Sequence, residues 1–301
     1  MKLVTFQQNG NERIGLLDDD HVIDLREAHT LSLTSQGLSI GDAIQRANQE
    51  TPDSMIDMIE GGEQALAIAR DSLEFVAKND KFGKAVHSLR DVKLKAPIPK
   101  PPMILNMGNA YRPLKISGFT IKPVTCVIGP EEAIVIPKEI SEHGAVFEPE
   151  IGVIIGKKGR RIENDDTAYY YVYGYTIYDD VTDYGRQMKN TFDMKIFDTF
   201  CPMGPCIVTK DELGDPHDLI KRVWVSGQLA GERSTREMLR LVPEFVSVPS
   251  QTLTLLPGTV ISTGAPFSGR IKPGDTVEIE ITKLGKLRNP VTAEFTKRNQ
   301  A

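Results

Sequence analysis

The sequence predicts an α+β, β-rich protein in two parts: a small N-terminal α+β domain over residues 1–95 and a larger, strand-rich domain over residues 96–301. Three observations predict it. Hairpin and helix patterns fill the N-terminal segment, a proline-crowded stretch follows, and the chain beyond it turns to short β-type runs punctuated by glycine and proline.

KLVTFQQNGNERIGLLDDDHVIDL alternates and breaks at QNGN and DDD, which predicts short strands joined by hairpin loops. SIGDAIQRANQ opens on Ser39 and Asp42 and predicts a capped helix. TPDSMIDMIEGGEQALAIARDSLEFVAK predicts further helix, starting at Thr51-Pro52 and divided at Gly61-Gly62. In LKAPIPKPPM, Pro97, Pro99, Pro101 and Pro102 make an extended, stiff connector that suits a boundary near residue 95. The strand runs beyond it are CVIGPEEAIVIPK, FEPEIGVIIGKKG, YVYGYTIYDDVT, RVWVSGQL, LTLLPGTVISTGAP and IKPGDTVEIEITKLGKL. REMLRLVPEFVSVPSQ is the helical candidate among them, interrupted by Pro243.

With 301 residues, 40% of them hydrophobic and 26% charged, the composition is that of a soluble globular protein. A net charge of -5 provides no basic field for nucleic acid or anionic lipid. Cys126, Cys201 and Cys206 cannot all pair and show no CxxC spacing. The opening MKLVTFQQNG lacks a secretory pattern, and no apolar run is long enough to span a bilayer, so a reducing cytoplasm is expected.

FEPEIGVIIGKKG carries the first chemical signal. Residues two apart on a strand share a face, so Glu148 and Glu150 point together and repel unless positive charge lies between them. Pro149 cannot donate to a ladder and fits a strand end. An exposed edge with two solvated carboxylates is the plainer account. A second acidic pair weighs against it: YVYGYTIYDDVT ends a strand on Asp179 and Asp180, where strand gives way to loop. Three carboxylates from two strand ends make an oxygen-rich site for a hard divalent ion, Mg2+ foremost. No HxxxH, HExxH or CxxC spacing argues for zinc.

With GPEEAIVIP, FEPEIGVIIGKKGR, YVYGYTIYDDVT, KIFDTFCPMGPCIVT, VSGQL, STGAP and KPGDTVEIEITKLGKLRNPV in this order, residues 95–295 resemble the fumarylacetoacetate hydrolase family. The N-terminal segment resembles the small appended domain of some bacterial members. The resemblance implies a mixed β-sheet roll, a homodimer, Mg2+ or Mn2+ as cofactor, and a small 2-oxo acid as substrate. Carried over residue by residue, it implies Glu148, Glu150 and Asp180 as metal ligands and Lys195 and Gln187 as catalytic residues. It likewise implies Tyr111, Arg112, Tyr184 and Thr263 as substrate-binding residues. A divalent ion chelated by a 2-oxo acid polarises the keto carbonyl. Lys195 adds positive charge where an enolate forms, and Gln187 orients the acid by hydrogen bonds.

Two departures from the family pattern bear on the reaction. Many relatives open this domain with a GxNYxxH-type segment, whose histidine works with a glutamate on a lid helix to handle water or a proton. Here the stretch is MGNAYRPLKISGF: Gly108, Tyr111 and Arg112 keep the pattern, but Leu114 stands where the histidine falls. The interval to Lys122-Pro123 is too short for the lid. After the ligand aspartate this chain reads DVTDYGRQ where relatives read DVSARDLQ, so Tyr184 takes an arginine position and Arg186 follows it. His143, five residues before Glu148, is a candidate replacement base, and Tyr111 and Tyr184 are candidate proton carriers. The expected activity is cleavage of a C–C bond in a 2-oxo or 2,4-dioxo acid, by hydrolysis or decarboxylation. The alternative is a dehydratase or isomerase of a 2-keto-3-deoxy sugar acid or related oxo acid, which the EPEIG stretch favours. A non-catalytic, ligand-binding relative is the third possibility.

Overall fold

The computed structural model describes residues 1–79, 84–114, 116, 118–140, 144–183 and 194–294. His143, Tyr184, Arg186 and Gln187 lie outside the described residues. Strands β1 (Lys2–Gln8) and β2 (Asn11–Asp18) are joined by Asn9 and Gly10, at φ 50° and 85°. This is the two-residue turn whose twist matches that of the flanking strands. Asp19, also at positive φ, turns the chain into β3 (His21–Asp24). Asp24 then caps α1 (Leu25–Ser35) by accepting the Glu27 N–H at 3.0 Å, and Ser39 caps α2 (Ile40–Glu50).

The next helix does not start at Thr51-Pro52. Thr51 ends α2 in extended backbone, as a residue before proline prefers, and donates its hydroxyl to the Ala47 carbonyl at 2.7 Å. The competing signal, Ser54, caps α3 (Met55–Glu60) by accepting the Asp57 N–H at 3.2 Å. Gly62, at φ 53°, separates α3 from α4 (Gly62–Lys78).

The remaining elements are β4 (Val86–Ser88), β5 (Lys93–Leu94), β6 (Ile104–Asn106), β7 (Thr120–Lys122), β8 (Val127–Ile128), β9 (Ile134–Ile136), β10 (Ala145–Phe147), β11 (Pro149–Ile155), β12 (Val172–Asp179) and β13 (Cys201–Thr209). After them come α5 (Lys210–Leu213), β14 (Ile220–Val225), β15 (Gln228–Ser234), α6 (Val242–Thr252), β16 (Val260–Ser262), β17 (Gly269–Ile271), β18 (Thr276–Ile281) and β19 (Gly285–Ala293). Pro243 does not interrupt α6. It occupies the first turn, where a missing N–H costs nothing, while the preceding Ser234–Glu237 segment is a separate capped turn.

A 12-stranded mixed sheet runs β4-β3-β2-β1-β13-β12-β11-β16-β6-β7, with β5 on β1 and β8 on β13. The N-terminal strands enter it through β1, whose Lys2 and Leu3 pair antiparallel with Val208 and Ile207. The proline stretch is docked rather than extended into solvent: Lys95 donates its N–H to the Thr5 carbonyl at 2.9 Å, and the Thr5 hydroxyl donates to the Pro97 carbonyl at 2.7 Å. A second sheet, β15-β14-β18-β19-β9, packs on β12 and β13 through β18 and β19. Strands β11, β12 and β13 are buried at every position, which explains their continuous apolar runs. It also removes the exposed-edge account of the two glutamates. Among the described residues, no helix is long and apolar enough to cross a membrane.

Candidate metal centre and cavity

Strand register builds the acidic cluster. Pro149 faces Asp179 and Glu150 faces Tyr178 in the antiparallel β11–β12 pair. Glu148 precedes β11 and Asp180 follows β12, so both leave the sheet at the same end. The Asp180 N–H donates to the Glu148 carbonyl at 3.0 Å, and Asp179 accepts the Glu148 N–H at 2.8 Å beside a proline that has none to give. One oxygen from each of Glu148, Glu150 and Asp180 lies within 4.8 Å of the others. Glu150 is 2% exposed and Asp180 1%.

Like charges this close in a buried site demand compensation. Asp180 receives most of it. Lys122 Nζ donates to Oδ1 at 2.7 Å and Asn106 Nδ2 to Oδ2 at 2.9 Å, and the Lys195 ammonium donates there too. Burial works to raise Asp180, but the two lysines hold its carboxyl at about 2. Lys195 Nζ also donates to Glu148 Oε2 at 2.7 Å and Thr182 Oγ1 at 2.8 Å. Burial opposes its charge, yet Asp180 and Glu148 raise its pKa. Glu150 is served differently. It accepts the Gly264 N–H at 2.7 Å, while burial, then Asp180 and Glu148, push its carboxyl up to about 8. Burial likewise lifts Asp179 to about 7. Three converging carboxylates, two buried and Glu148 partly so, are a donor set that fits a hard divalent cation. Asn106, Lys122 and Gly264 hold the carboxylate oxygens from behind.

The carboxylates open into a cavity of about 410 Å³, whose wall also includes Arg112, Phe119 and Lys195. Arg112 and Lys195 therefore face the same space as the acidic cluster. Gly264 sits at φ 91°, and a Cβ there would lie 3.0 Å from Gly108 Cα and Asn109 N, so glycine lets the 108–109 turn close over the site. Thr263 is placed beside the cavity, buried, with its hydroxyl donated to the Ile151 carbonyl at 3.2 Å. Tyr111 stands behind the wall; its hydroxyl is buried without a partner, and burial raises its pKa, leaving a neutral phenol. Leu114 is 55% exposed, and the described residues from 107 to 119 form no helix. Its carbonyl accepts Arg240 Nε at 3.1 Å, and the Ala110 carbonyl accepts the Leu239 N–H at 2.6 Å, so this loop is anchored on the segment before α6.

Asn106, Lys122, Lys221 and Gly264 join the site although the sequence gives none of them a role there. For Lys221 a signal exists: in IKRVWV, strand alternation puts it in phase with the buried Val223. Its Nζ donates to the Pro149 carbonyl at 3.2 Å, and burial brings its pKa down to about 7, with Glu150 opposing.

A family model described as fumarylacetoacetate (FAA) hydrolase C-terminal matches residues 105–292. The chain is 33% identical over 316 residues to oxaloacetate tautomerase YisK of Bacillus subtilis (strain 168), covering 97% of this chain and 100% of that relative. It is 33% identical to the mitochondrial oxaloacetate tautomerase fahd2 of Xenopus laevis, with 97% and 90% covered. The solved structure of maleylpyruvate hydrolase from Sphingobium sp. SYK-6, in complex with manganese (II) ion and pyruvate, is similar with a TM-score of 0.78. That likeness covers 98% of this chain and 100% of the other, at 28% identity. With its converging carboxylates on a β-rich roll, and a match spanning most of its larger part, the chain belongs to the fumarylacetoacetate hydrolase family.

Proposed function

We propose that the protein is a divalent-metal-dependent enzyme that interconverts the keto and enol forms of a small 2-oxo dicarboxylic acid of the oxaloacetate type. Leucine at position 114 carries this reading. Hydrolysis of a C–C bond needs water activated by a base within hydrogen-bond reach, and leucine takes no proton. Keto–enol exchange consumes no water and breaks no carbon–carbon bond; a C–H proton moves and charge shifts onto the keto oxygen. Likeness to the oxaloacetate tautomerases supports it.

Glu148, Glu150 and Asp180 would hold Mg2+ or Mn2+, which when bound supplies Lewis-acid polarisation of the keto carbonyl. Lys195, kept protonated by Asp180 and Glu148, brings a fixed ammonium to the side where negative charge develops. One such preorganised donor is commonly worth about 3 kcal/mol. Arg112, in the cavity wall, offers a two-pronged donor for the far carboxylate of a dicarboxylic acid. Gln187 and Tyr184 are assigned orientation of, and contact with, the acid.

A second reading, hydrolysis of an acylpyruvate, is favoured by the likeness to maleylpyruvate hydrolase. Both are tested by incubating Mn2+-loaded and Mg2+-loaded protein with oxaloacetate, acylpyruvates and 2-keto-3-deoxy sugar acids in D2O, with products followed by NMR. The expected result is faster deuterium exchange at C3 of oxaloacetate and faster keto–enol equilibration. Cleaved acylpyruvate without that exchange replaces the proposal by hydrolysis. Carbon dioxide release replaces it by decarboxylation, water loss from a sugar acid by dehydration, and no turnover of any acid by ligand binding alone.

A further inference from the structure

None of the roles above uses Lys221. It is 0% exposed, at an inward position of β14 in phase with Val223, where a strand of this pattern carries apolar residues. Lys122, equally buried, is paired with Asp180. Lys221 forms no ion pair among the described residues, and its hydrogen bond goes to the Pro149 carbonyl at 3.2 Å. Pro149 is the residue between Glu148 and Glu150. Lys221 Nζ also lies 5.1 Å from the centroid of the Tyr111 ring. The Tyr111 hydroxyl has no partner, so it is the ring that meets the lysine. Tyr111 directly precedes Arg112, which lines the cavity.

A buried amine without an ion-pair partner at contact distance, with Glu150 its nearest opposing charge, costs stability that an apolar side chain of the same length would not. Residues that break a local rule at such a cost gather at functional sites. We infer that Lys221 is a positioning residue: it ties the carbonyl between the two glutamates to the Tyr111 ring, and so sets the spacing between the carboxylate cluster and Arg112. The inference rests on the proposed oxo-acid site. It adds a reason for the loop and the strand to keep register, since small misplacements in such a site are expensive in rate.

The test is Lys221→Met, which keeps the apolar stem and removes only the amine. The expected variant has a Tm at or above that of the parent. Its Kd for Mn2+ and its KM for oxaloacetate each rise about tenfold, the size seen when outer partners of metal ligands are lost. In a double-mutant cycle, Tyr111→Leu adds little to either loss once Lys221 is gone. A fall in Tm overturns the inference by making Lys221 a prop of the fold. So do an Mn2+ affinity unchanged from the parent, or losses in the cycle that simply add. Mn2+ affinity, read by calorimetry, does not depend on the acid chosen. Failure of oxaloacetate as a substrate therefore removes the proposed function and leaves the Mn2+ arm to decide the role of Lys221.

Discussion

Lys122→Met is expected to destabilise the protein, the opposite of what is expected of the same change at Lys221, because Lys122 has a buried partner. Its side chain is 0% exposed and donates to Asp180 Oδ1 at 2.7 Å and to the Phe200 carbonyl at 2.6 Å. Methionine fills the stem's space but strands a carboxylate that is 1% exposed and leaves a carbonyl unpaired. Breaking a buried pair from one side costs about 3–5 kcal/mol. Lys195 and Asn106 still reach Asp180, which puts the expected loss near the lower end, about 3 kcal/mol. At roughly 2–3 °C per kcal/mol for a large chain, Tm falls by about 6–9 °C. The pH dependence has a fixed sign. The Asp180 carboxyl is held at about 2 in the folded protein against an ordinary 3.8, so its stabilisation is complete above 3.8 and is lost as pH falls toward 2. Urea unfolding of EDTA-treated parent and variant should therefore differ most near neutrality, and the difference should shrink at pH 3. A loss below about 1 kcal/mol at pH 7, or a difference that grows on acidification, would refute the pairing argument.

Glu150→Ala should abolish Mn2+ binding in a calorimetric titration, and unchanged affinity would remove Glu150 from the cluster. Because burial and the neighbouring carboxylates hold Glu150 at about 8 without metal, binding near neutrality releases a proton, and Mn2+ affinity should drop about tenfold from pH 7 to 6. A flat profile contradicts this. At Glu132, burial raises the carboxyl, but the Gly129 N–H, Lys95 and Lys93 bring it down from 4.5 to about 2. That stabilisation is present above 4.5 and lost as pH falls to 2. Screened by solvent at this partly exposed site, Glu132→Gln should cost about 1 kcal/mol at pH 7, and the difference should shrink as pH falls toward 2, read from urea midpoints. Arg112→Gln should raise KM for a dicarboxylic oxo acid roughly tenfold or more while sparing Mn2+ affinity. An unchanged KM places the guanidinium away from the acid.

What the sequence made legible was local. Alternation and an Asn-Gly turn announce the first hairpin, and two glutamates two residues apart announce a shared face. An Asp pair at the end of an apolar run marks where the next strand delivers its side chains. Each signal lies within one element, so no knowledge of pairing is needed. The partners of Asp180 were not legible in this way: Lys122 is 58 residues away in sequence and Asn106 is 74 away. They arrive through β6 and β7, three-residue strands with no distinctive pattern of their own. Insertion of the N-terminal strands into the main sheet is equally remote, resting on the pairing of Lys2 with Val208. At Thr51 two local signals conflicted, and the serine that could reach an orphan N–H prevailed over the proline. Lys221 was legible from strand phase alone, but only once β14 was treated as a strand with one buried face.

Lys195 connects the metal question to the substrate question. Glu148, Glu150 and Asp180 require positive charge, and Lys195 supplies it by donating to Glu148, Asp180 and Thr182. A divalent cation among the same oxygens meets the same need with two charges on one centre. With those carboxylates neutralised by a bound cation, Lys195 would be freed from them, and its ammonium lines a cavity that also holds Arg112. On the proposed function, its next partner of opposite charge would be an acid entering that cavity. A bound cation would add two positive charges to a wall that Lys195 and Arg112 already line, and would draw a dianionic acid more strongly. On the proposed function, these charges would favour an order of metal first and acid second. In the ion-free protein Asp180 and Glu148 raise the pKa of Lys195, so the side chain enters the cycle as an ammonium. That suits a residue that steadies negative charge on the substrate, and it is unsuited to one that must strip a proton from carbon.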